Sequence, residues 1–287
     1  MNNKDRLLKQ LKISRDMARF LGREAVLIQR TGCYLASSDR TINIEKEISR
    51  AIQGTVSYPP DKKLPGAGRG DSSTSIEVRN ETTLSAAERL IEKGFNPAAL
   101  NFASATSPGG GFLNGARAQE EYLARSSALW SCLDGNEMYS FHRARRDPFY
   151  SDYVIYSPDV PILRNDDGEL LEEPYPCSII TSPAVHATGV RRYMPDRLDK
   201  IGPVMWSRIL KVLSVAKLHG HRAVVLGAWG CGAFGNDRDL ISGLFRRALE
   251  DNFRGAFEQV VFAITDWSDD GRFIAPFERI FNDRQAG

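Results

Sequence analysis

The sequence predicts an α/β layered sandwich, led in by a helical segment, and three observations carry that reading. From residue 75 onward, short apolar runs of strand length alternate with longer runs of helical period. Two glycine-rich stretches each come directly after such a strand run. The composition, 42% hydrophobic and 26% charged over 287 residues, is that of a folded chain with room for one large domain or two small ones.

Taken in order, residues 4–30 read as helix, because Leu7, Leu8, Leu11, Met17, Phe20, Leu21 and Leu27 recur at roughly helical spacing. A second amphipathic stretch, residues 43–53, follows the turn Ser37-Ser38-Asp39. Tyr58-Pro59-Pro60 and the run from Pro65 to Asp71 break regular structure and predict a loop or the edge of a lid. Gly66, Gly68 and Gly70 imitate a phosphate loop, but no strand precedes them, so the segment reads as a surface loop. Residues 75–79 alternate as a strand, and Asn80 to Thr83 offer capping side chains to a helix over 84–93. A strand over 98–103 and a helix over 119–132 come next. Strands over 152–157 and 178–181 flank the turn residues Arg164 to Gly168. A long helix over 196–219 leads into a buried strand over 222–226. A helix over 237–251, a strand over 260–264 and a helix over 275–281 complete the pattern.

Charge and cysteine usage exclude several function classes. The 38 Lys+Arg against 36 Asp+Glu leave a net charge of +2, without the basic excess of a dedicated duplex-binding protein. A local basic pocket for a small anion remains compatible with that total. No apolar run reaches the roughly 20 residues of a membrane span, and the charged N-terminus lacks the apolar core of a signal peptide. A cytoplasmic location is therefore expected, with no membrane partner and no sequence-specific nucleic acid. Cys33, Cys132, Cys177 and Cys231 form no C-x-x-C pair and have no His at zinc-finger spacing, so free thiols are expected and no metal.

The chemistry concentrates in the two glycine loops. The first runs from Asn101 to the triple glycine Gly109-Gly110-Gly111, and the second from Gly227 to Asn236. Glycine lets the backbone take positive φ and approach a ligand closely. Successive N–H groups in such turns form a concave anion site, and two of them at neighbouring strand ends suit a diphosphate. Two tight turns without a ligand are the plainer alternative. Gly230-x-Gly232-x-x-Gly235 also matches the dinucleotide fingerprint. Glu250 and Asp251 are poorly placed for the ribose, however, and Trp229 and Phe234 put bulk where that turn needs small residues.

Ten residues after the triple glycine, Glu120 and Glu121 open the helix of residues 119–132. Carboxylates are favoured at a helix N-terminus by the dipole alone. Adjacent residues on a helix point about 100° apart. They do not readily flank a glycosidic bond from opposite sides, as the usual glycosidase pair does. One Glu must then carry the proton transfers while its neighbour holds the sugar.

A triple glycine, a seven-residue spacer and Gln119-Glu120-Glu121 resemble the signature of the bacterial-type poly(ADP-ribose) glycohydrolases of the macrodomain superfamily. Asn80-Glu81-Thr82-Thr83, Asn101-Phe102-Ala103-Ser104, the segment from Tyr156 to Pro161, Thr181-Ser182-Pro183-Ala184 and the loop from Gly227 to Asn236 are similar to the same family. The resemblance implies a macrodomain-like three-layer α/β/α sandwich with a mixed sheet over residues 71–287. Residues 1–70 resemble the family's accessory segment more loosely and are expected to cover one side of the pocket and favour chain ends.

The resemblance also implies roles. Glu121 is the acid that protonates the 2′-oxygen of the adjoining unit and the base for water at the anomeric carbon. Glu120 binds a hydroxyl near the scissile bond, and Gln119 supports the pair. Gly109, Gly110, Gly111 and the stretch Gly230, Cys231, Gly232, Ala233, Phe234 hold the diphosphate. Asn101 contacts the distal ribose and Phe234 packs on the nucleotide. A general acid must hold its proton near neutrality, so Glu121 is expected in a desolvated setting that raises its pKa. The expected partners are poly(ADP-ribose) or ADP-ribosylated macromolecules, with ADP-ribose as product and no cofactor. The rival readings are a hydrolase of single ADP-ribose units, an ADP-ribose-binding module without turnover, and a nicotinamide-dependent oxidoreductase.

Four features read as structural. The run Asp266 to Gly271 begins like a calcium loop but has Phe277 where the twelfth-position carboxylate belongs, and reads as a turn. His142, His186, His219 and His221 lack Cys or Asp partners in the sequence and read as surface or packing residues. Trp206 reads as core. Arg143, Arg145 and Arg146 read as a solvated face able to attract a polyanion.

Overall fold

The computed structural model describes residues 13–64 and 68–282. Leu7, Leu8, Leu11 and the stretch from Pro65 to Ala67 lie outside the described residues. Helix α1 (Arg15–Thr31) starts where the Ser14 hydroxyl accepts the Met17 N–H at 3.0 Å, and it stops at Gly32, whose φ of 71° only glycine adopts cheaply. The turn at Ser37 to Asp39 joins β1 (Cys33–Leu35) and β2 (Thr41–Asn43) into a small antiparallel hairpin. Helix α2 (Glu45–Gly54) and strand β3 (Val56–Tyr58) follow.

The remaining elements alternate as expected: β4 (Ser75–Arg79), α3 (Thr83–Glu92), β5 (Pro97–Phe102), α4 (Gln119–Ser126), α5 (Leu129–Leu133) and α6 (Glu137–Arg145). Then come the hairpin strands β6 (Val154–Arg164) and β7 (Leu170–Ser182), α7 (Ala187–Tyr193), α8 (Ile201–Leu218) and β8 (Ala223–Leu226). The order closes with α9 (Arg238–Arg247), β9 (Gln259–Ala263) and α10 (Ala275–Asn282).

Seven strands form one mixed sheet in the order β3-β6-β7-β5-β8-β9-β4. The five from β7 to β4 run parallel, and β6 is antiparallel to both its neighbours. Alternate residues serve opposite faces, as the strand period of two requires. Ala98, Leu100, Val224, Leu226, Val260 and Phe262 pack under α8, α9 and α10, whereas Ala99, Ala223, Val225 and Val261 pack under α2, α3 and α5. Each buried Leu, Val or Phe contributes about 1.5–3 kcal/mol, and both faces are covered. This is the three-layer α/β/α sandwich.

The segment before residue 70 is continuous with this core. β3 hydrogen-bonds to β6, and Ile28, Ile44, Ile48 and Ala51 share one hydrophobic cluster with α3 and α5. Other local expectations need correction. The helix expected over 119–132 is two helices, broken where Ser127 adopts an extended conformation. The helix expected from 196 begins as a 3-10 turn and becomes α-helical at Ile201. The loop after Tyr58 is not a lid over the strand ends described below. Gly70 and Ser72 donate to the carbonyls of Arg254 and Gly255, which places the loop at the opposite, N-terminal end of the parallel strands.

Candidate active site

The C-terminal ends of β4, β5, β8 and β9 open on one cavity of about 400 Å³. The chain leaves β5 toward the face that carries α5 and leaves β8 toward the opposite face that carries α9. A crevice therefore forms between these two neighbouring strands, at the kind of topological switch point where open α/β sheets bind ligands. The ladder between β5 and β8 ends at the pair Ala99/Val225. Beyond it the Gln119 amide bonds β5 directly, accepting the Phe102 N–H at 2.9 Å and donating to the Leu100 carbonyl at 2.8 Å. It also donates to the Thr83 hydroxyl at 3.0 Å. Gln119 thus fastens the first turn of α4 to the sheet.

That turn delivers both carboxylates to the cavity wall. Glu121 accepts the Gly111 N–H on Oε1 at 2.9 Å and the Ala118 N–H on Oε2 at 3.0 Å. It is 9% exposed, and each oxygen keeps a lone pair for a further partner. Glu120, 3% exposed, accepts the Ser104 N–H at 2.6 Å. Burial pushes Glu120 well above the usual carboxylate range; the Ser104 N–H opposes that shift and the charge of Glu121 adds to it. Glu121 is buried beside Glu120. The triple glycine seats the pair from behind. Gly110 has φ of 62°, and a Cβ there would stand 2.2 Å from Glu121 Oε1 and 2.9 Å from Glu120 Oε2.

Across the cavity, the loop after β8 presents Gly230, Gly232, Ala233 and Phe234. Gly230 takes φ of 73°, and a Cβ there would meet Ala184 at 2.5 Å. Buried Asn236 clamps the loop, donating to the carbonyls of Val185 at 2.7 Å and Gly230 at 3.1 Å. The Phe234 ring rests against His186 at 5.0 Å and Tyr150 at 6.1 Å.

Of the residues expected at a site, Gln119, Glu120, Glu121, Gly230, Gly232, Ala233 and Phe234 line this one cavity. Asn101 is fully buried beside Glu120, Cys231 is buried in the core, and Gly109, Gly110 and Gly111 stand behind the carboxylates rather than in the lining.

The family model of the microbial-type PARG catalytic domain matches residues 22–165, half of the chain and the part that contains both carboxylates and the triple glycine. The chain belongs to this family. No curated protein sequence matches it. The structure is similar to poly(ADP-ribose) glycohydrolase (PARG) from Thermomonospora curvata, with 45% identity over 92% of this chain and 99% of that one and a TM-score of 0.86. The Thermomonospora curvata protein bound to the inhibitor ADP-HPD is 44% identical over 91% and 98% of the two chains, at a TM-score of 0.84. The Deinococcus radiodurans glycohydrolase in complex with ADP-ribose is 41% identical over 82% and 97%, at a TM-score of 0.78.

In this PARG-family protein further cavity residues come from the ends of β4 and β9. Glu81, Thr82 and Thr83 follow β4; Asp266, Trp267 and Phe273 follow β9. The Asp266 run is a turn, as expected. Burial raises Asp266, but N–H bonds from Ser268, Phe273 and Ile274 and the Ser268 hydroxyl hold it below the usual carboxylate range. Asn80 pins this turn by exchanging hydrogen bonds with the Asp266 backbone. Trp267 is 45% exposed at the cavity edge, an aromatic surface open to a ligand. The signal for these residues was present: the strand-end logic applied to β5 and β8 holds equally for β4 and β9.

His142 is packed inside the fold, as expected. It donates from Nδ1 to the Ala105 carbonyl at 3.2 Å and so accepts the Ser151 hydroxyl on Nε2 at 2.7 Å. Burial pulls its pKa down to about 4. Arg208 braces the same rim from α8. It is buried and bonds Asp152 and the carbonyls of Pro183 and Phe149.

Proposed function

We propose that this protein hydrolyses the ribose–ribose O-glycosidic bonds of poly(ADP-ribose) and releases ADP-ribose, with Glu121 as the acid and base. The observation that carries the proposal is the placement of Glu121. It is a buried carboxylate held by two backbone N–H groups, on the wall of a cavity that also presents the Gly230–Phe234 loop. The similarity to PARGs solved with ADP-ribose and with ADP-HPD supports the same reading.

Glu121 donates its proton to the 2′-oxygen as the bond from that oxygen to the anomeric carbon breaks, and the electron pair leaves with the oxygen. Water then adds to the anomeric carbon and returns a proton to the Glu121 carboxylate. A positioned acid of this kind contributes roughly 10²–10⁴-fold. Glu120 holds a ribose hydroxyl, and Asn101 acts through Glu120 from beneath. The grip on the pyrophosphate falls to the second loop and its N–H groups. The triple glycine serves to seat Glu121. Phe234 packs on the bound unit. Single units leave from chain ends, since the cavity is of a size that encloses one small ligand and α1 walls the α4 side.

The test is incubation with labelled poly(ADP-ribose) and chromatography of the products. Free ADP-ribose, lost in Glu121→Gln while ADP-ribose binding persists, is the expected result. Tight ADP-ribose binding with no release in the unmodified protein would leave a binding module, and products several units long would overturn the chain-end reading.

A further inference from the structure

Arg125 stands apart from the other buried cations of this protein. It lies on α4 one turn after Glu121, is 5% exposed, and makes no ion pair or hydrogen bond among the described residues. Its Nη1 is fully buried without a partner. The Tyr122 ring lies 5.5 Å from the guanidinium, and the Glu121 carboxylate attracts it without a direct ion pair. Other buried arginines at least have an acidic partner: Arg208 holds Asp152 and two carbonyls, and Arg164 holds Glu24 and the Gly168 carbonyl, although its Nε is unpartnered. Of the carboxylates on the β6–β7 turn that line a cavity with Arg125, Asp166 is engaged elsewhere, because it accepts the hydroxyls of Thr82, Ser85 and Tyr122. A guanidinium nitrogen out of water with no acceptor is unfavourable, and Arg125 faces two cavities, so the site suits a partner with acceptor atoms.

Its location says which partner. Arg125 and Tyr122 line the main cavity and also a second one of about 240 Å³, walled by Met17 and Leu21 of α1 and by the β6–β7 turn. The Gly230–Phe234 loop has no part in that second cavity. A path from the loop past Glu121 therefore reaches Arg125 and then the space under α1. Arg117 lines the main cavity too and repels Arg125, so two cations act on one region.

We propose that Arg125 binds a phosphate of the nucleotide on the leaving side of the scissile bond, and that the second cavity holds the rest of that unit. The inference rests on the proposed function and deepens it. The leaving unit carries its 2′-oxygen and its 5′-phosphate on the same ribose, so the phosphate lies about one sugar's width from the oxygen that Glu121 protonates. Residues four apart on a helix have Cβ atoms about 5–6 Å apart, which matches that span. A guanidinium is the side chain suited to a phosphate, since its planar fork donates two parallel bonds.

Binding, not turnover, gives the cleanest test. In Glu121→Gln protein, the affinities of ADP-ribose and of the two-unit polymer are measured by calorimetry. The two-unit ligand is expected to bind about 10- to 100-fold more tightly, the range of a charge-assisted phosphate contact. Adding Arg125→Gln should collapse that ratio toward one, and Arg125→Lys should restore part of it. Because both ligands are compared on the same sample, partial misfolding lowers both signals and leaves the ratio readable. A ratio near one before Arg125 is changed, or a ratio that Arg125→Gln leaves intact, overturns the subsite. Failure of the Glu121→Gln protein to bind ADP-ribose at all would instead bring down the proposed function, and the subsite with it.

Discussion

Gly110→Ala tests the seating of the carboxylates. The new Cβ would stand 2.2 Å from Glu121 Oε1, where ordinary contact begins at 3.4 Å, so the carboxylate must retreat by about 1.2 Å. That movement breaks its alignment with the Gly111 and Ala118 N–H groups, and hydrogen bonds to a charged group are worth about 1.5–3 kcal/mol each. A misplacement of about 1 Å costs a catalytic group on the order of 10²-fold in rate. The residue also sits at φ of 62°, where a side chain adds about 1–2 kcal/mol of strain and lowers the melting temperature by a few degrees. Gly220→Ala is the matched control, with φ of 74° and nothing within 4 Å of its Cβ. The assay is kcat on poly(ADP-ribose) beside thermal unfolding of both variants. Both should lose stability to the strain of the positive φ, Gly110→Ala should lose more because the hydrogen bonds to Glu121 are also disturbed, and Gly110→Ala alone should lose about two orders of magnitude in kcat. If Gly110→Ala melts like the control and keeps the unmodified protein's kcat, Glu121 is not the acting group.

Three further outcomes are expected. Phe234→Ala should weaken ADP-ribose binding up to about tenfold, the worth of an aromatic contact, and an unchanged affinity by calorimetry would remove the ring from the site. Arg208→Ala strands Asp152 beside a buried void and should cost about 3–5 kcal/mol in urea unfolding; a loss under 1 kcal/mol would show the brace to be dispensable. For pH, burial pulls the His142 pKa down to about 4 from the 6.5 of a free imidazole, so the neutral ring's contribution is complete above pH 6.5 and fades as pH falls toward 4. That contribution is about 3 kcal/mol at most. Glu120, raised by burial, acts in the opposite sense: its contribution is largest at low pH and is lost as pH rises through its folded value. Unfolding at pH 4.5 and 7.5 should show a shallower slope in His142→Gln, and Glu120→Gln should gain stability at the higher pH.

The parallel core was legible because each of its strands is a buried run followed by turn chemistry, as at residues 98–102 and 223–226. The long hairpin was legible only in part. Pro158, Pro161, Pro174 and Pro176 interrupt β6 and β7, and proline in a run argues against a strand. Here a bulge between Ser157 and Val160, with Asp159 at φ of 46°, absorbs the irregularity. β1, β2 and β3 are three residues each, too short for a period to show. The site divides in the same way. Both carboxylates and Phe234 stand out by type and spacing. Arg125, Asp266 and Trp267 reach the cavity through tertiary folding from positions whose local pattern is only that of a helix or a turn.

The edge strand β3 has a practical consequence for anyone trimming the gene. Cutting away the first sixty or so codons would strip β6 of its outer neighbour and bare the edge at Val154, Ile155 and Tyr156 that β3 pairs. An uncovered strand edge recruits other chains. The same cut removes α1, whose Gly22 sits against Phe112 and whose Arg15 binds the Asn114 carbonyl just beyond the triple glycine. A shortened polypeptide should come out of expression as aggregate, and any soluble fraction should have a slackened catalytic turn.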